Sequence, residues 1–253
     1  MIRADAAVLV VGGGIAGLTA AAALGLRGIA VELVERKPAL SDGGGVGLTL
    51  VANATRALAD IGVAARCVQA GIGADTLAIC RPDGTIMMEQ PLPRIGGPDW
   101  PGATGIRRAA LHEILAQAAL ASGAQVRCGT TVQEWQEDAS AIRVSFSDGT
   151  TRPYQLVVGA DGLYSSMRAR LLLHVRPELT GQAVWRAEAP RPASIRRTHI
   201  HFGGRHGVVG ICPVAEDASY VYIVQSAHDN VRRDEATLHL QMREELSGYG
   251  GHV

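Results

Sequence analysis

The feature that most constrains this chain is a glycine-rich turn between an apolar strand and an alanine-rich helix, close to the start of the sequence. Residues 6–11 are continuously apolar and predict a buried parallel strand, which ends at the pattern Gly12-x-Gly14-x-x-Gly17. Gly12 permits a tight turn, Gly14 lets the backbone approach a pyrophosphate, and Gly17 lets the helix pack closely on the strand. The helix is expected to run to about Gly28, with its N-terminus facing phosphates. The pattern predicts a nucleotide-binding βαβ unit.

An acidic residue follows at the end of a second predicted strand, residues 29–35. Glu35 lies about 20 residues beyond the glycines, where a carboxylate accepts hydrogen bonds from both ribose hydroxyls of a dinucleotide. Its charge disfavours a 2′-phosphate. Glycines alone would be weak evidence, because the chain contains 31 of them. The complete series of strand, helix, strand and acid therefore carries the interpretation.

Composition indicates a small-molecule partner. The 253 residues include 24 basic and 24 acidic side chains, so no charge excess suggests binding to nucleic acid or to an anionic membrane. A hydrophobic fraction of 47% and this length suit one large or two small domains. No segment predicts a signal peptide or a membrane span, so we expect a cytoplasmic protein. Four scattered cysteines, expected to be reduced thiols, form no zinc motif: Cys67, Cys80, Cys128 and Cys212.

The sequence after Glu35 departs from regular βαβ alternation. Four glycines within residues 43–47 favour either a mobile linker or backbone lying against a flat ligand. A helix is predicted over residues 53–61. A hairpin of residues 76–81 and 85–89 follows, and we interpret it as the first segment of a second domain.

A helix is predicted to begin at Arg107-Arg108, where two positive charges oppose the helix dipole. Either an anionic ligand compensates them or they are solvated. Strands predicted over residues 125–129, 131–137 and 141–147 are expected to be antiparallel and to return to a buried strand over residues 154–158. The last one ends in Asp161-Gly162, and this edge of a sheet is where open α/β sheets bind ligands, although Asp161 is equally an N-cap candidate.

Four motifs occur in order along the chain: Gly-Gly-Gly-Ile-Ala-Gly with Glu35-Arg36, Gly45-Val-Gly-Leu-Thr-Leu-Val-Ala-Asn-Ala, Arg108-Ala-Ala-Leu, and Gly-Ala-Asp161-Gly-x-x-Ser-x-x-Arg. Together they resemble the FAD-dependent aromatic hydroxylases, the single-component flavoprotein monooxygenases that include p-hydroxybenzoate and salicylate hydroxylase. The resemblance runs essentially end to end.

This resemblance implies the cofactor, its reductant and the site. FAD binds through its ADP half, Arg108 contacts the cofactor, and Asp161 contacts its ribityl side in a motif linked to NAD(P)H use. The candidate cofactor-binding residues are Gly12, Gly14, Ile15, Ala16, Gly17, Glu35, Arg36, Gly47, Arg108, Asp161 and Gly162. No catalytic side chain is expected, because the cofactor carries the chemistry.

The expected fold is α/β, with a Rossmann-like FAD-binding domain and an interleaved, mainly antiparallel substrate domain. The first is assigned to residues 1–73 and 104–174, and the second to residues 74–103 and 175–253. Members of this family continue into a third motif, Gly-Asp-Ala-x-His-x-x-x-Pro, which is absent here. We therefore expect a family member cut short, with weak FAD binding, a tendency to aggregate or dimerise, and NAD(P)H oxidation mainly to hydrogen peroxide.

The last third of the chain gives weaker signals. Strands are predicted around Trp185, over residues 195–202 and over residues 220–225, and a helix over residues 234–246. His199 and His201 share a strand face, but with no third ligand in the sequence we predict no metal site. Weak candidates for lining a substrate cavity are Trp185, Arg186, His206 and Pro213.

The function expected from this resemblance is hydroxylation of a small aromatic molecule with O₂ and NAD(P)H as co-substrates. Two alternatives stay open: an FAD-dependent reductase or dehydrogenase on the same scaffold, and a noncatalytic FAD-binding fragment. A homodimer is compatible with the sequence. The absence of Gly-x-Ser-x-Gly, HExxH and Walker sequences removes the commonest hydrolytic and phosphoryl-transfer functions.

Overall fold

The computed structural model describes residues 8–40, 44–227 and 234–253, which group into two compact units. Unit 1 comprises Met1–Gly44, Leu58–Val63 and Ala109–Pro177, and unit 2 comprises Gly45–Ala57, Ala64–Arg108 and Glu178–Val253. Each unit is therefore discontinuous in sequence. Most of residues 45–73, which the sequence analysis assigned to the FAD-binding domain, lie in unit 2. The functional assignment of the two predicted domains stays a prediction.

A four-stranded parallel sheet forms the centre of unit 1. Its strands are β1 (Val8–Val11), β2 (Val31–Glu35), β8 (Gln125–Cys128) and β12 (Leu156–Gly159), in the order β12-β1-β2-β8. Helix α1 (Ile15–Gly25) connects β1 to β2, which confirms the predicted βαβ opening. The helix ends three residues before the predicted Gly28, where a positive φ of 71° closes the turn. Residues 6 and 7 of the predicted first strand lie outside the described residues.

The direction of β8 corrects the sequence analysis, which expected residues 125–129 to be antiparallel to their neighbours. Gln125 pairs with Glu32 and Cys128 with Glu35 in a parallel register. The preceding helix, α4 (Arg108–Ala121), explains the direction, because parallel pairing requires a long crossover connection and a helix is its usual form.

An antiparallel meander follows in unit 1, as predicted. It consists of β9 (Val132–Glu137), β10 (Ile142–Phe146) and β11 (Thr151–Tyr154). The meander shares an apolar core with the parallel sheet, and this core includes Leu9, Val34, Val144, Phe146 and Tyr154.

A buried carboxylate adds a polar link between the two sheets of unit 1. Glu32 on β2 is 7% exposed and accepts hydrogen bonds from the Tyr154 hydroxyl at 2.7 Å and from Arg152 Nη1 at 3.1 Å. Arg127 Nε lies 3.1 Å from the other carboxylate oxygen, without hydrogen-bond geometry. Burial and this carboxylate raise the pKa of Tyr154. Because removing one member would leave a buried charge unpaired, the link fixes the meander on the sheet that carries the glycine turn.

Unit 2 contains two sheets. The smaller one has the order β3-β7-β4 and consists of β3 (Gly47–Val51), β7 (Ala103–Arg107) and β4 (Ile72–Ala74). The six-stranded sheet has the order β13-β16-β15-β14-β5-β6 and consists of β13 (Gln182–Pro190), β16 (Ala218–Ser226), β15 (Gly207–Pro213), β14 (His199–Gly204), β5 (Thr76–Cys80) and β6 (Ile86–Pro91). Every pairing in these two sheets is antiparallel except that of β14 with β5.

The remaining helices are α2 (Ala52–Ala59), α3 (Ala64–Gln69), α5 (Ser166–Leu171) and α6 (Leu238–Leu246). Helix α3 and the strands β3, β4, β7 and β15 were not predicted from the sequence. The fold class is confirmed, since a parallel α/β sheet is combined with mainly antiparallel sheets. None of the helices in the described ranges has the length and apolar character needed to cross a lipid bilayer.

Candidate functional site

A cleft of about 260 Å³ lies in unit 1 at the carboxyl ends of the parallel strands. This is the edge at which open α/β sheets bind ligands. Its lining combines the glycine turn, the end of β2 and the residues after β12: Val11, Gly12, Gly13, Gly14, Val34, Glu35, Arg36, Lys37, Thr131, Ala160, Asp161, Gly162, Tyr164 and Ser166. Six of the predicted cofactor-binding residues therefore line one cleft.

The fold requires two of the three glycines of the turn, and the third faces open space. A side chain on Gly12, whose φ is 110°, would overlap the carbonyl of Ala160, and one on Gly17 would overlap the carbonyl of Gly12. Gly14 differs, because a Cβ at this position would meet nothing within 4 Å. Gly12 and Gly17 are therefore needed by the fold, whereas the space beside Gly14 is open to a ligand.

The N-terminus of α1 presents hydrogen-bond donors beside that space that have no partner among the described residues. Gly14 is the N-cap and has no side chain to bond the helix end. The helical ladder starts with the N–H of Leu18, which donates to Gly14 O at 2.9 Å. The N–H groups of Ile15, Ala16 and Gly17 thus have no helical partner, and together with the helix dipole they favour a bound anion.

Glu35 holds the glycine turn as well as lining the cleft. One carboxylate oxygen accepts the N–H of Gly13 at 2.6 Å, and the other accepts the N–H of Lys37 at 2.9 Å. A carboxylate has about four acceptor positions, so two remain for the hydroxyls of a ribose. The prediction that Glu35 binds ribose stays a prediction, and the structure adds a second, internal function for this side chain.

His112, which was not predicted from the sequence, contacts the backbone of the same residue, Gly13. This side chain on α4 is 4% exposed, and its Nε2 lies 2.8 Å from Gly13 O. Because a carbonyl oxygen only accepts, Nε2–H donates. Gly13 is therefore fixed through its N–H by Glu35 and through its C=O by His112. The only signal in the sequence was a polar residue beside Leu111, a position that the helical pattern assigns to the core.

Replacing His112 with leucine is expected to leave the buried Gly13 carbonyl without its donor, at a cost of about 1–3 kcal/mol. The expected result is a lower unfolding temperature together with weaker FAD binding, measured by thermal unfolding and by flavin titration. Glutamine, whose amide reaches a similar distance, should restore most of both losses. Leucine in place of the exposed His174 serves as the control, and wild-type flavin affinity in the His112→Leu protein would contradict the assigned role.

The N-cap of α5 is Ser165 and not Asp161, the candidate considered from the sequence, but Asp161 also binds the first N–H groups of this helix. Its Oδ2 accepts the N–H groups of Ser166 at 2.8 Å and Met167 at 3.3 Å, at the start of α5. Oδ1 is buried and has no hydrogen-bond partner among the described residues. Burial, the largest single influence, opposes the change, but hydrogen bonds from the Ser165 side chain, the Met167 N–H and the Ser166 side chain lower the pKa of Asp161. The unsatisfied oxygen is suited to a ligand hydroxyl, and the positive φ of Gly162, 86°, turns the chain beside it.

The remaining predicted residues, Gly47 and Arg108, belong to unit 2. A Cβ on Gly47 would lie 2.7 Å from the Tyr220 ring and 2.8 Å from Val214, so packing within the unit already requires glycine there. The Arg108 guanidinium has no hydrogen-bond or ion-pair partner among the described residues, whereas Arg107 pairs with Glu188 at 3.1 Å. The charge of Arg107 is therefore compensated within the protein, and only Arg108 stays a candidate for an anionic ligand.

The two histidines considered as metal ligands do not belong to a metal cluster. Nδ1 of His201 donates to the carbonyl of Arg81 at 3.1 Å, and burial lowers the pKa of both His199 and His201. Within residues 8–40, 44–227 and 234–253, no group of three or more potential ligands is arranged to hold a metal ion. The four cysteines are free thiols.

The cleft fits the ADP half of FAD on structural grounds alone. Free N–H donors at a helix end suit a pyrophosphate, the open space at Gly14 permits its approach, and the acceptors on Glu35 and Asp161 suit hydroxyl groups.

Comparison with known proteins gives the same result. The family model described as "FAD binding domain" matches residues 5–247. Aurachin C monooxygenase/isomerase of Stigmatella aurantiaca is 30% identical over 221 residues, covering 87% of this chain and 57% of that protein. The 3-amino-4-hydroxybenzoate 2-monooxygenase of Streptomyces cremeus is 35% identical over 199 residues, covering 75% and 48%. The chain thus spans about half the length of these relatives.

Among solved structures, a variant of Klebsiella pneumoniae HpxO complexed with FAD matches with a TM-score of 0.81. It is 22% identical and the match covers 97% of this chain and 64% of that one. At this identity the likeness shows a shared fold. The family match, which extends over nearly the whole chain, shows more: the chain belongs to the FAD binding domain family, the resemblance to flavoprotein monooxygenases is confirmed, and FAD is its cofactor.

Proposed function

We propose that this protein is an FAD-dependent monooxygenase that hydroxylates a small aromatic molecule with O₂ and NAD(P)H. The observation that carries the proposal is the cleft in unit 1, where an open, uncapped helix end lies beside Glu35 and Asp161. The names of the relatives support the reaction class, since two of them are monooxygenases and one of those acts on an aminohydroxybenzoate.

In this proposal the residues of unit 1 bind and orient the cofactor. The N–H groups of Ile15, Ala16 and Gly17 bind the pyrophosphate, and the Glu35 carboxylate accepts hydrogen bonds from the ribose hydroxyls. Asp161 Oδ1 accepts a hydroxyl of the ribityl chain. Bound FAD supplies the redox chemistry, in which NAD(P)H and O₂ convert an aromatic C–H into C–OH, with NAD(P)⁺ and water as the other products.

The other predicted contacts are part of the same proposal. Arg36 and Lys37 place positive charge at the rim of the cleft. By resemblance, Arg108 and Gly47 are also assigned to contact the cofactor. Unit 1 is the FAD-binding part, and unit 2 is the substrate-binding part. The homodimer and the cytoplasmic location expected from the sequence stay predictions.

The test is a parallel measurement on the purified protein supplied with FAD. NADH or NADPH oxidation, O₂ uptake, hydrogen peroxide and hydroxylated product are followed together with a set of small phenols. The proposal expects O₂ uptake that depends on NAD(P)H, with hydroxylated product from coupled turnover and hydrogen peroxide, expected to predominate, from uncoupled turnover. Substrate reduction or oxidation that proceeds equally without O₂ would instead indicate the reductase or dehydrogenase. A flavin spectrum with no turnover would indicate a noncatalytic FAD-binding protein.

A further inference from the structure

Unit 2 contains a mainly apolar cavity of about 150 Å³ between its two sheets. The three-stranded sheet contributes Thr49, Val51, Ile72, Ala74, Ala103 and Gly105, and the six-stranded sheet contributes most of the rest, including Ile200, Pro213 and Tyr222. An apolar cavity of about this volume is large enough for a benzene ring. Of the cavity residues suggested by the sequence, Pro213 lines this cavity, whereas Trp185, Arg186 and His206 do not.

Two lining residues, Ile200 and Tyr222, are in register on either side of Gly210. Ile200 on β14 pairs with Gly210 on β15, which pairs with Tyr222 on β16. A side chain on Gly210 would overlap the Tyr222 ring, so the missing side chain lets the tyrosine lie across the sheet. Tyr222 also stacks on Tyr220, with 5.3 Å between the ring centroids. The result is a flat, aromatic and aliphatic surface suited to a planar ring.

Among the described residues, the cavity lining carries no uncompensated charge. Its single charged side chain is Arg197, whose guanidinium pairs with Glu89 and also donates to Thr76 Oγ1 at 3.3 Å. A carboxylate entering the cavity would have to compete with Glu89 for this arginine while losing its own hydration. Since desolvating an unpaired carboxylate is costly, the lining disfavours an anionic ligand.

One polar group in the lining is available to a ligand. The Tyr222 hydroxyl has no hydrogen-bond partner within the described ranges, whereas Thr49 contacts Cys212 Sγ at 3.5 Å. Burial raises the pKa of Tyr222, so its hydroxyl stays protonated at neutral pH and can donate. An oxygen substituent on a bound ring would satisfy this donor.

We propose that this cavity binds an uncharged aromatic ring bearing an oxygen substituent, which accepts a hydrogen bond from Tyr222. The inference rests on the proposed function, since it makes the cavity the site of the aromatic substrate. It narrows the substrate class to neutral phenol-like rings and excludes benzoate-like anions.

The test compares two ligands of similar size that differ in charge, p-cresol and 4-hydroxybenzoate. Binding to the full chain, with and without FAD, is measured at pH 7 by ligand-observed NMR or calorimetry. We expect p-cresol to bind at least tenfold more tightly. Equal or tighter binding of 4-hydroxybenzoate would overturn the proposal. Because this is an equilibrium measurement, the result does not depend on turnover, so absence of hydroxylation would count against the proposed function alone.

Two substitutions locate the binding. Val51 lines the cavity but is 49% exposed, so phenylalanine at this position can fill the cavity without disturbing the core. Val51→Phe should weaken p-cresol binding at least tenfold. Phenylalanine at Val184, which is 46% exposed and outside the lining, should leave p-cresol binding unchanged. Tyr222→Phe should weaken binding about 2- to 13-fold, the loss of one neutral hydrogen bond. Unchanged p-cresol affinity in a folded Val51→Phe protein would overturn the assignment, and Ile72→Phe replaces it if that variant unfolds.

Discussion

Replacing Gly14 with valine is expected to abolish FAD binding while the protein stays folded. The backbone at Gly14 has a φ of −78°, which valine adopts without strain, and nothing lies within 4 Å of where the new Cβ would stand, so the fold has no reason to reject the side chain. The side chain would instead occupy the space through which a pyrophosphate reaches the N-terminus of α1. Losing two charge-assisted hydrogen bonds costs about 3–6 kcal/mol, which corresponds to roughly 10²- to 10⁴-fold in affinity.

The measurement is a flavin fluorescence titration combined with thermal unfolding. Gly17→Ala is the informative control, because its Cβ overlaps the carbonyl of Gly12 and should lower the unfolding temperature as well as the affinity. We therefore expect Gly14→Val to lower flavin affinity alone and Gly17→Ala to lower both the unfolding temperature and the flavin affinity. Wild-type flavin affinity in the Gly14→Val protein would mean that the helix end is not the pyrophosphate site.

Replacing Glu35 with alanine is expected to weaken FAD binding about 10- to 100-fold, because hydrogen bonds to a charged acceptor contribute about 1.5–3 kcal/mol. The structure adds a second consequence. The carboxylate also accepts the N–H groups of Gly13 and Lys37, so the variant should lose stability even without ligand. This distinguishes it from Gly14→Val, which should lose affinity only.

Glutamine at position 35 separates the two functions of the side chain. It keeps one acceptor oxygen but replaces the other with a donor, so one of the two backbone N–H groups loses its partner. We expect intermediate stability and a flavin affinity between those of the alanine variant and the wild type. Alanine in place of Glu134, an exposed residue of β9, controls for a general loss of negative charge. An unchanged dissociation constant in Glu35→Ala would make this residue a support of the turn alone.

The parts of the fold that sequence predicted correctly are those fixed by local pattern. The β1-α1-β2 opening could be predicted because an apolar run, three glycines at fixed spacing and an acid at the next strand end are all contained in about 30 residues. The hairpin around Gly84 could be predicted for the same reason, since its turn residues lie between two alternating segments.

The features that were missed depend on contacts between distant residues. The direction of β8 depends on its pairing with β2, some 90 residues earlier, and not on its own composition. Strand β15, between Gly204 and Pro213, was hidden because glycine and proline normally mark loops; here Gly210 is required by the Tyr222 ring packed across it. The contact of His112 with Gly13 spans 99 positions, and its only local signal was a polar residue at a core position of the helix.

Whether the charge of Arg107 is compensated also depends on residues far away in the sequence. From sequence, two arginines at a helix start suggested a bound anion as one of two alternatives. The structure pairs Arg107 with Glu188 and Asp217, residues 81 and 110 positions away. Only the three-dimensional arrangement could distinguish a charge compensated by the protein from one available to a ligand.

A competition titration tests most directly whether the cleft in unit 1 binds the ADP half of FAD. Protein is titrated with FAD, FMN and riboflavin, and FAD is then displaced with ADP. We expect FAD to bind far more tightly than FMN or riboflavin, ADP to displace FAD, and Gly14→Val to remove ADP binding together with FAD binding. Equal affinity for FAD and FMN, with no competition by ADP, would contradict this expectation.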